Sequence, residues 1–157
     1  MHSTFLRIGT VTTFAGLPQS GSTDGTVAFA KFDAPMGITA DSSGRLYVSD
    51  MSFNIIRAIT PIGSVTRLAG GGGIDGLHSG SQNGIGSNAC FDGPYGLTAF
   101  NGRVFVADNN NHVIRQIVIG TTGFVVILLL LLLVVVVVVV VVLMLLCEVL
   151  LMLMILT

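Results

Sequence analysis

The sequence predicts an all-β fold, a partial β-propeller of about two four-stranded blades, followed by a hydrophobic, helical C-terminal segment. Two observations lead to this prediction. One long passage is written twice, as AKFDAPMGITADSSGRLYVSDMSFNIIRAI from Ala30 and as ACFDGPYGLTAFNGRVFVADNNNHVIRQI from Ala89. Beyond it, from Phe124 to Thr157, the only charged residue is Glu148. Short four-stranded units that repeat along a chain are typical of a propeller.

The two copies keep a nearly constant spacing. Four residue types recur 59 positions apart and, after a one-residue shortening of one turn, four residues recur 58 positions apart. The first set pairs Phe32, Asp33, Pro35 and Gly37 with Phe91, Asp92, Pro94 and Gly96. The second pairs Gly44, Asp50, Ile56 and Arg57 with Gly102, Asp108, Ile114 and Arg115. We therefore expect equivalent residues to hold equivalent places in two similar sheets.

The repeat divides the chain into three parts. They are an N-terminal lead at 1–10, the propeller part at 11–123, and a hydrophobic low-complexity tail at 124–157. The propeller part holds units at about 30–70 and 89–123, preceded by a strand at 11–16. The predicted strands are Met36–Ala40, Arg45–Ser49, Ile55–Thr60 and Ser64–Ala69, with counterparts from about Tyr95, Arg103, Val113 and Gly123. Apolar residues on both faces of these strands indicate sheets packed between neighbouring sheets.

Each repeated residue has a structural role that its type explains. Proline tolerates a strand start, where no backbone N–H is needed, and glycine suits a hairpin turn. Aspartate at a strand end can accept hydrogen bonds from the backbone N–H groups of the next turn. The pairs are Pro35 and Pro94, Gly44 and Gly102, and Asp50 and Asp108.

The second copy resembles an NHL repeat. The stretch VADNNNHVIRQI contains Asn111, His112 and Val113 where the family has its namesake Asn-His-Leu, and the first copy has Phe53, Asn54 and Ile55 there. The resemblance runs from about Val11 to Ile119 and takes in Arg57 and Arg115 as repeat residues. It implies a β-propeller and a role in protein–protein interaction or scaffolding, with a protein partner that the sequence leaves unknown.

The charges argue against a nucleic-acid partner. The first 123 residues hold all seven basic side chains together with seven aspartates, scattered singly, whereas nucleic-acid binders usually show a basic patch. The two cysteines and three histidines are spread out without metal-ligand spacing. The sequence therefore predicts no metal, no cofactor and no nucleic-acid partner.

The repeated charges allow two interpretations. Arg57 and Arg115 would either form a ring that binds an anion or RNA, or each would pair with a nearby aspartate or loop carbonyl. Asp50 and Asp108 would either ring a cation or cap turns. The structural role is the commoner one, so we expect no catalytic residue. The alternative is a truncated copy of a propeller enzyme, similar to lactonases or an amidating lyase, but such enzymes resemble this chain in fold only and gather metal ligands from several blades.

The tail is a candidate transmembrane helix at 124–147, because 24 residues without charge exceed the length that crosses a bilayer. Arg103 and Arg115 precede it, and the positive-inside rule then places the N-terminal part in the cytosol. Blocks of leucine and valine also resemble a translated repeat expansion or frame shift, in which case the chain would be cytoplasmic. About two blades leave unpaired strand edges, so we also expect self-association.

Overall fold

The computed structural model describes residues 9–72, 78–120, 133–135 and 138–139. Seven strands lie in these residues: β1 Pro35–Ala40, β2 Leu46–Asp50, β3 Ile55–Ile59, β4 Val65–Gly70, β5 Pro94–Phe100, β6 Arg103–Asp108 and β7 Val113–Val118. Three short 3-10 turns accompany them, at Met51–Phe53, Gly86–Asn88 and Asn109–Asn111. The strands are short because glycine, asparagine and proline interrupt the apolar runs every few residues.

The strands form two antiparallel meanders. The first sheet has the order β1-β2-β3-β4 and the second the order β5-β6-β7. The prediction of two antiparallel sheets is confirmed, with four strands in the first and three described strands in the second. The strand expected from about Gly123 lies outside the described residues.

Both sheets begin with the same irregularity. Pro35 pairs with Asp50 and Ile38 with Val48, so the register shifts between them. An equivalent shift separates Pro94 from Leu97 in the second sheet. Such a bulge bends the first strand and increases its twist. The two units therefore share one local design, as the constant spacing predicts.

The predicted strand at 11–16 is wrong, because the structure has no strand there. The equivalent segment, β4, pairs with β3 of its own unit. A fourth strand needs a third strand beside it, and the described residues ahead of Val11 provide none. Ala15 instead packs beside Ala30 and Phe32 against the first sheet.

The core lies between the two sheets. The front of the first sheet is the side that faces the N-terminal segment, and the front of the second sheet is the side that faces the first sheet. The opposite side of each sheet is its back. The back of the first sheet packs on the front of the second in one buried cluster, formed by Tyr47, Ile56, Ala58, Ala69, Phe91, Val104 and Val106. A second cluster on the front of the first sheet holds Ala30, Val48, Ile59 and Val65. The first sheet therefore has buried residues on both sides, although Ile38 on its front is exposed, and β3 is buried along its whole length.

By its internal contacts, the chain divides into two compact parts, residues 1–119, which contain both repeat units, and residues 120–157. In the part from 120 to 157, the described residues 133–135 and 138–139 are helical. The rest of the predicted span at 124–147 lies outside the described residues. Within the part that the structure describes, no helix has the length and apolar character needed to cross a bilayer.

Candidate functional site

The Asp50 carboxylate is a buried junction of the first unit. Its Oδ1 accepts a hydrogen bond from the backbone N–H of Asp33 at 2.9 Å, and its Oδ2 accepts one from Arg57 Nη1 at 3.1 Å. The expected turn cap is therefore corrected. The N–H groups of Met51 and Ser52 donate to backbone carbonyls. The Asp50 carboxylate therefore binds the segment just before β1 and not the turn that follows β2.

Arg57 ties the loop ahead of β1 to the sheet. Its Nη1 also donates to the Lys31 carbonyl at 2.8 Å, and its Nη2 donates to the Thr23 carbonyl at 2.9 Å and to Asp24 Oδ1 at 2.7 Å. The guanidinium lies 5.0 Å from the centre of the Phe32 ring, within cation–π range. Arg57 thus binds three groups of one loop, two carbonyls and one carboxylate, and its side chain is fully buried.

The second unit repeats this arrangement. Asp108 accepts from the N–H of Asp92 at 2.8 Å and from Arg115 Nη1 at 2.9 Å. The remaining contacts of Arg115 are the Cys90 carbonyl, the Gln82 carbonyl, Asn83 Oδ1 and the Phe91 ring. We call the two constellations the Asp50–Arg57 pair and the Asp108–Arg115 pair.

The two pairs differ in their electrostatics. Arg57 meets two carboxylates, of Asp24 and Asp50, whereas Arg115 meets one carboxylate and the neutral amide of Asn83. Burial raises the pKa of Asp50, and the hydrogen bonds from the Asp33 N–H and Arg57 act against that rise. The ion pair therefore has to offset the cost of burying a charge.

Asn111 gives the second pair a further hydrogen bond. Its Nδ2 donates to Asp108 Oδ2 at 2.9 Å and to the Gly80 carbonyl at 2.9 Å. Phe53 holds the equivalent position in the first unit, where no such donor exists. The Asp108 carboxylate consequently accepts three hydrogen bonds where Asp50 accepts two.

His112 and Asn54 hold equivalent positions with a left-handed backbone, at φ 58° and φ 54°. Each ends a 3-10 turn by donating its N–H back to the first residue of that turn. Asparagine and histidine tolerate this conformation better than most side chains. Asn54 Oδ1 also accepts from the Gly93 N–H at 2.9 Å and so joins the two units. The namesake position is thus a turn position in both copies.

The remaining repeat residues lie at strand starts, approaches and turns. Pro35 and Pro94 are the first residues of β1 and β5. Gly44 and Gly102 have positive φ angles, 79° and 70°, in the β1–β2 and β5–β6 turns. These turns need a residue that enters the left-handed region without strain.

The sequence reasoning missed the partners of the arginines, Asp24 and Asn83. Their signal was present, because SGSTDG at 20–25 recurs as SGSQNG at 79–84, 59 residues later. Gly25 in the first of these loops exchanges two backbone hydrogen bonds with Val65, at 2.8 and 3.0 Å, and so borders the outer edge of β4.

Tyr47 and Asp41 form a polar cluster at the β1–β2 turn. The tyrosine hydroxyl donates to Asp41 Oδ2 at 2.8 Å, while Ser43 and the Arg45 N–H donate to Oδ1. Burial, followed by the hydrogen bond to Asp41, raises the pKa of Tyr47 to about 12. Burial acts to raise the pKa of Asp41 too, but the donated hydrogen bonds outweigh it and hold this pKa below its usual value.

The sheets meet along their first strands. Ser49 Oγ accepts from the Gly37 N–H at 2.8 Å and donates to the Tyr95 carbonyl at 2.5 Å. A Cβ at Gly37 would overlap that carbonyl oxygen, so this position requires glycine. Gly96, the equivalent residue of the second sheet, has open space around its Cβ position.

Parts of two sheet surfaces remain uncovered among the described residues. Ile114, on the back of the second sheet, is 72% exposed, whereas its equivalent in the first sheet, Ile56, is fully buried. On the front of the first sheet, Ile38 is 64% exposed, whereas its equivalent Leu97 packs into the core between the sheets. Among the described residues, no three metal-ligating side chains lie close enough together to hold a metal ion.

No family model matches the chain. It is 34% identical over 99 residues to Protein SUPPRESSOR OF QUENCHING 1, chloroplastic, of Arabidopsis thaliana, which covers 62% of the chain and 9% of that protein. It is 34% identical over 84 residues to NHL repeat-containing protein 2 of Gallus gallus, covering 53% of the chain and 11% of that protein. The chain thus spans about a tenth of the length of these relatives.

Solved structures share the fold. An auxiliary nutrient binding protein from Bacteroides thetaiotaomicron matches with a TM-score of 0.57 and 27% identity, over 66% of this chain and 27% of that one. A protein of unknown function from the same organism matches with a TM-score of 0.58 and 26% identity, over 66% of this chain and 26% of that one. The chain covers about a quarter of each structure, so the likeness concerns the arrangement of adjacent blades.

Proposed function

Because the chain is an NHL-repeat protein with a propeller-like fold, we propose that it is a non-catalytic module for protein–protein interaction or scaffolding. The observation that carries this proposal is the pair of exposed apolar sheet faces on either side of a buried core. Ile38 and Met36 lie on the first, and Ile114, Phe100 and Val118 on the second. Contiguous apolar surface of this kind is typical of protein contacts.

The repeated charges support the same proposal. Asp50, Asp108 and Arg57 are fully buried, and their hydrogen bonds go to backbone groups and to side chains of the same unit. A ring of anion-binding arginines or cation-binding aspartates would need these groups to face solvent. In the described residues they instead fix loops onto sheets, which is a structural role.

The interaction role can be tested by cross-linking and affinity capture of the tagged full chain from cell extract. We expect the variant Ile114→Asp to lose proteins that the native chain retains, because a carboxylate would be desolvated in an apolar contact. Ile62→Asp is the matched control, since Ile62 is 88% exposed and lies in the β3–β4 turn and not on a strand. Equal capture by all three proteins would contradict the proposal, and turnover of a lactone by the purified chain would favour the alternative of a propeller-enzyme copy.

We also propose that the tail at 124–147 anchors the chain in a membrane with its N-terminal part in the cytosol. The support is the sequence itself, a charge-free run long enough to span the bilayer core, preceded by the basic residues Arg103 and Arg115. Alkaline carbonate extraction of membranes from cells that express an N-terminally tagged chain tests this. Recovery in the soluble fraction, or protection of the tag from protease in intact vesicles, would contradict it.

A further inference from the structure

We infer that a second copy of this chain is a partner of the exposed faces, and that it docks head to tail. The back of the second sheet in one copy would pack on the front of the first sheet in the other. This inference rests on the interaction role proposed above and names one partner for it. Its basis is that the chain already contains one example of the same contact.

The contact inside the chain is the template. There, the back of the first sheet contributes Tyr47, Ile56 and Ala58, and all three are buried. The front of the second sheet contributes Val104 and Val106, with Leu97, Ala99 and Ile117 packed beside them. Apolar side chains on both surfaces interlock in one cluster. Any pair of surfaces with the same residues in the same register can form the same contact.

The open faces carry the required residues. On the back of the second sheet, Phe105, Ile114 and Gln116 hold the places of Tyr47, Ile56 and Ala58, 58 residues later. On the front of the first sheet, Ile38, Ala40, Leu46, Val48 and Ile59 hold the places of Leu97, Ala99, Val104, Val106 and Ile117. Both faces are therefore apolar where the template is apolar, except at Gln116. On the front of the first sheet, Val48 and Ile59 are already buried under the N-terminal segment, whereas Ile38 is exposed.

The back of the second sheet also has room for the backbone of a neighbouring strand. Gly37 is adjacent to the Tyr95 carbonyl, and its equivalent Gly96 has open space where a neighbouring strand would lie. Thr39 Oγ1 accepts from the Ala99 N–H at 3.1 Å across the two sheets. Its equivalent, Thr98, is exposed and has a hydroxyl free to do the same. The second sheet is thus prepared for a following sheet in the same way as the first.

The intermolecular contact would be weaker than its template. Ala107 replaces Ser49, so the hydroxyl that links Gly37 to Tyr95 has no counterpart. Gln116 replaces Ala58 and brings a polar group into the contact. Phe14 and Ala15 also line the groove that contains Met36 and Ile38, and they narrow the front face. We therefore expect association that depends on concentration and that single substitutions abolish.

The two docking surfaces are different, so the contact is heterologous and can close into a ring. The described residues of each copy form about two blades, and propellers have four to eight. Two, three or four copies would therefore complete a ring, in which neither open face remains exposed. Association through strand edges or through the tail would have no such stoichiometric limit.

The experiment uses the full chain in one detergent throughout, with mass measured by sedimentation equilibrium. We expect the native chain to form a discrete oligomer of two to four copies, and Ile38→Asp and Ile114→Asp each to be monomeric. Ile62→Asp should behave like the native chain. A monomeric native chain, or an oligomer unaffected by Ile38→Asp and Ile114→Asp, would overturn the inference.

Mixing the two face variants gives the decisive measurement. Ile38→Asp keeps an intact back face and Ile114→Asp an intact front face, so an equimolar mixture should yield a one-to-one heterodimer that grows no further. If the mixture stays monomeric while circular dichroism shows both variants folded, head-to-tail docking is excluded. The interaction role itself is judged separately, by the capture of other proteins described above, and would survive that result.

Discussion

Arg57 Nη1 lies 3.1 Å from Asp50 Oδ2, and both side chains are completely buried. In the second unit, the Asp108–Arg115 pair has the same geometry at 2.9 Å, but the Arg115 side chain is 12% exposed. A buried ion pair contributes little compared with a well-packed apolar pair, yet removing one partner leaves an uncompensated charge. Each pair therefore fixes the loop ahead of the first strand to the sheet of its unit.

From this difference we predict unequal costs for two equivalent substitutions. Arg57→Ala should lower the free energy of unfolding by about 3–5 kcal/mol, because it leaves Asp50 buried without its cation. Arg115→Ala should cost clearly less, because Asp108 keeps the hydrogen bonds from Asn111 and the Asp92 N–H and water can reach the site. Urea unfolding of both variants measures the difference. An equal loss of unfolding free energy in both variants, or a larger loss in Arg115→Ala, would show that solvent exposure and the Asn111 hydrogen bond do not stabilise Asp108 when its arginine is removed.

The sequence predicted the features that depend on local chemistry. Prolines at strand starts and glycines in turns recur at a constant spacing, and the strands predicted with them match β1 to β7 within a few residues. Features that depend on distant partners were harder to predict. The segment at 11–16 reads like β4, but a strand forms only when a neighbour pairs with it.

The contacts of Asp50 illustrate the same limit. Its residue type and position at a strand end predict a local cap, and nothing nearby in sequence indicates that it binds the Asp33 N–H, 17 residues earlier. Asp24 shows that some distant partners do leave a signal, since its loop is itself repeated 59 residues later as the loop of Asn83. A comparison of the repeats that extends back to Ser20 would have found it.

We predict that Asp41 gives the protein acid-sensitive stability. Its pKa in the folded state lies below its usual 3.8, so the stabilisation is complete above that value and is lost as the pH falls through the lower folded value. Asp41→Ala should remove this part of the pH dependence. The measurement is the free energy of unfolding of both proteins from pH 5 down to about 2. Parallel curves over this range would contradict the prediction.

We predict that Tyr47 makes the stability of the fold depend on pH in the alkaline range. Its pKa rises to about 12 in the folded state, above its usual 10.0, so the stabilisation is present below pH 10.0 and is lost as the pH rises through about 12. The chain has two tyrosines and no tryptophan, so in the variant Tyr95→Phe the absorbance of tyrosinate reports on Tyr47 alone. We expect its midpoint near the folded value, or at the pH of unfolding if that comes first. Titration near 10 in a folded chain would disprove burial of this hydroxyl.

The last prediction compares Gly37 with Gly96, which hold the same place in the two sheets. Gly37→Ala should destabilise the chain by roughly 1–3 kcal/mol, because its methyl group would overlap the Tyr95 carbonyl and push the sheets apart. Gly96→Ala should change the free energy of unfolding by no more than about 0.5 kcal/mol, since nothing lies near its Cβ position. Head-to-tail docking would, however, bring the first strand of another copy to that position, so Gly96→Ala should weaken self-association while leaving the fold intact. Urea unfolding and sedimentation of the same two variants separate these effects. A Gly96→Ala chain that associates like the native one would argue that the second sheet does not receive a partner in the way that the first sheet does.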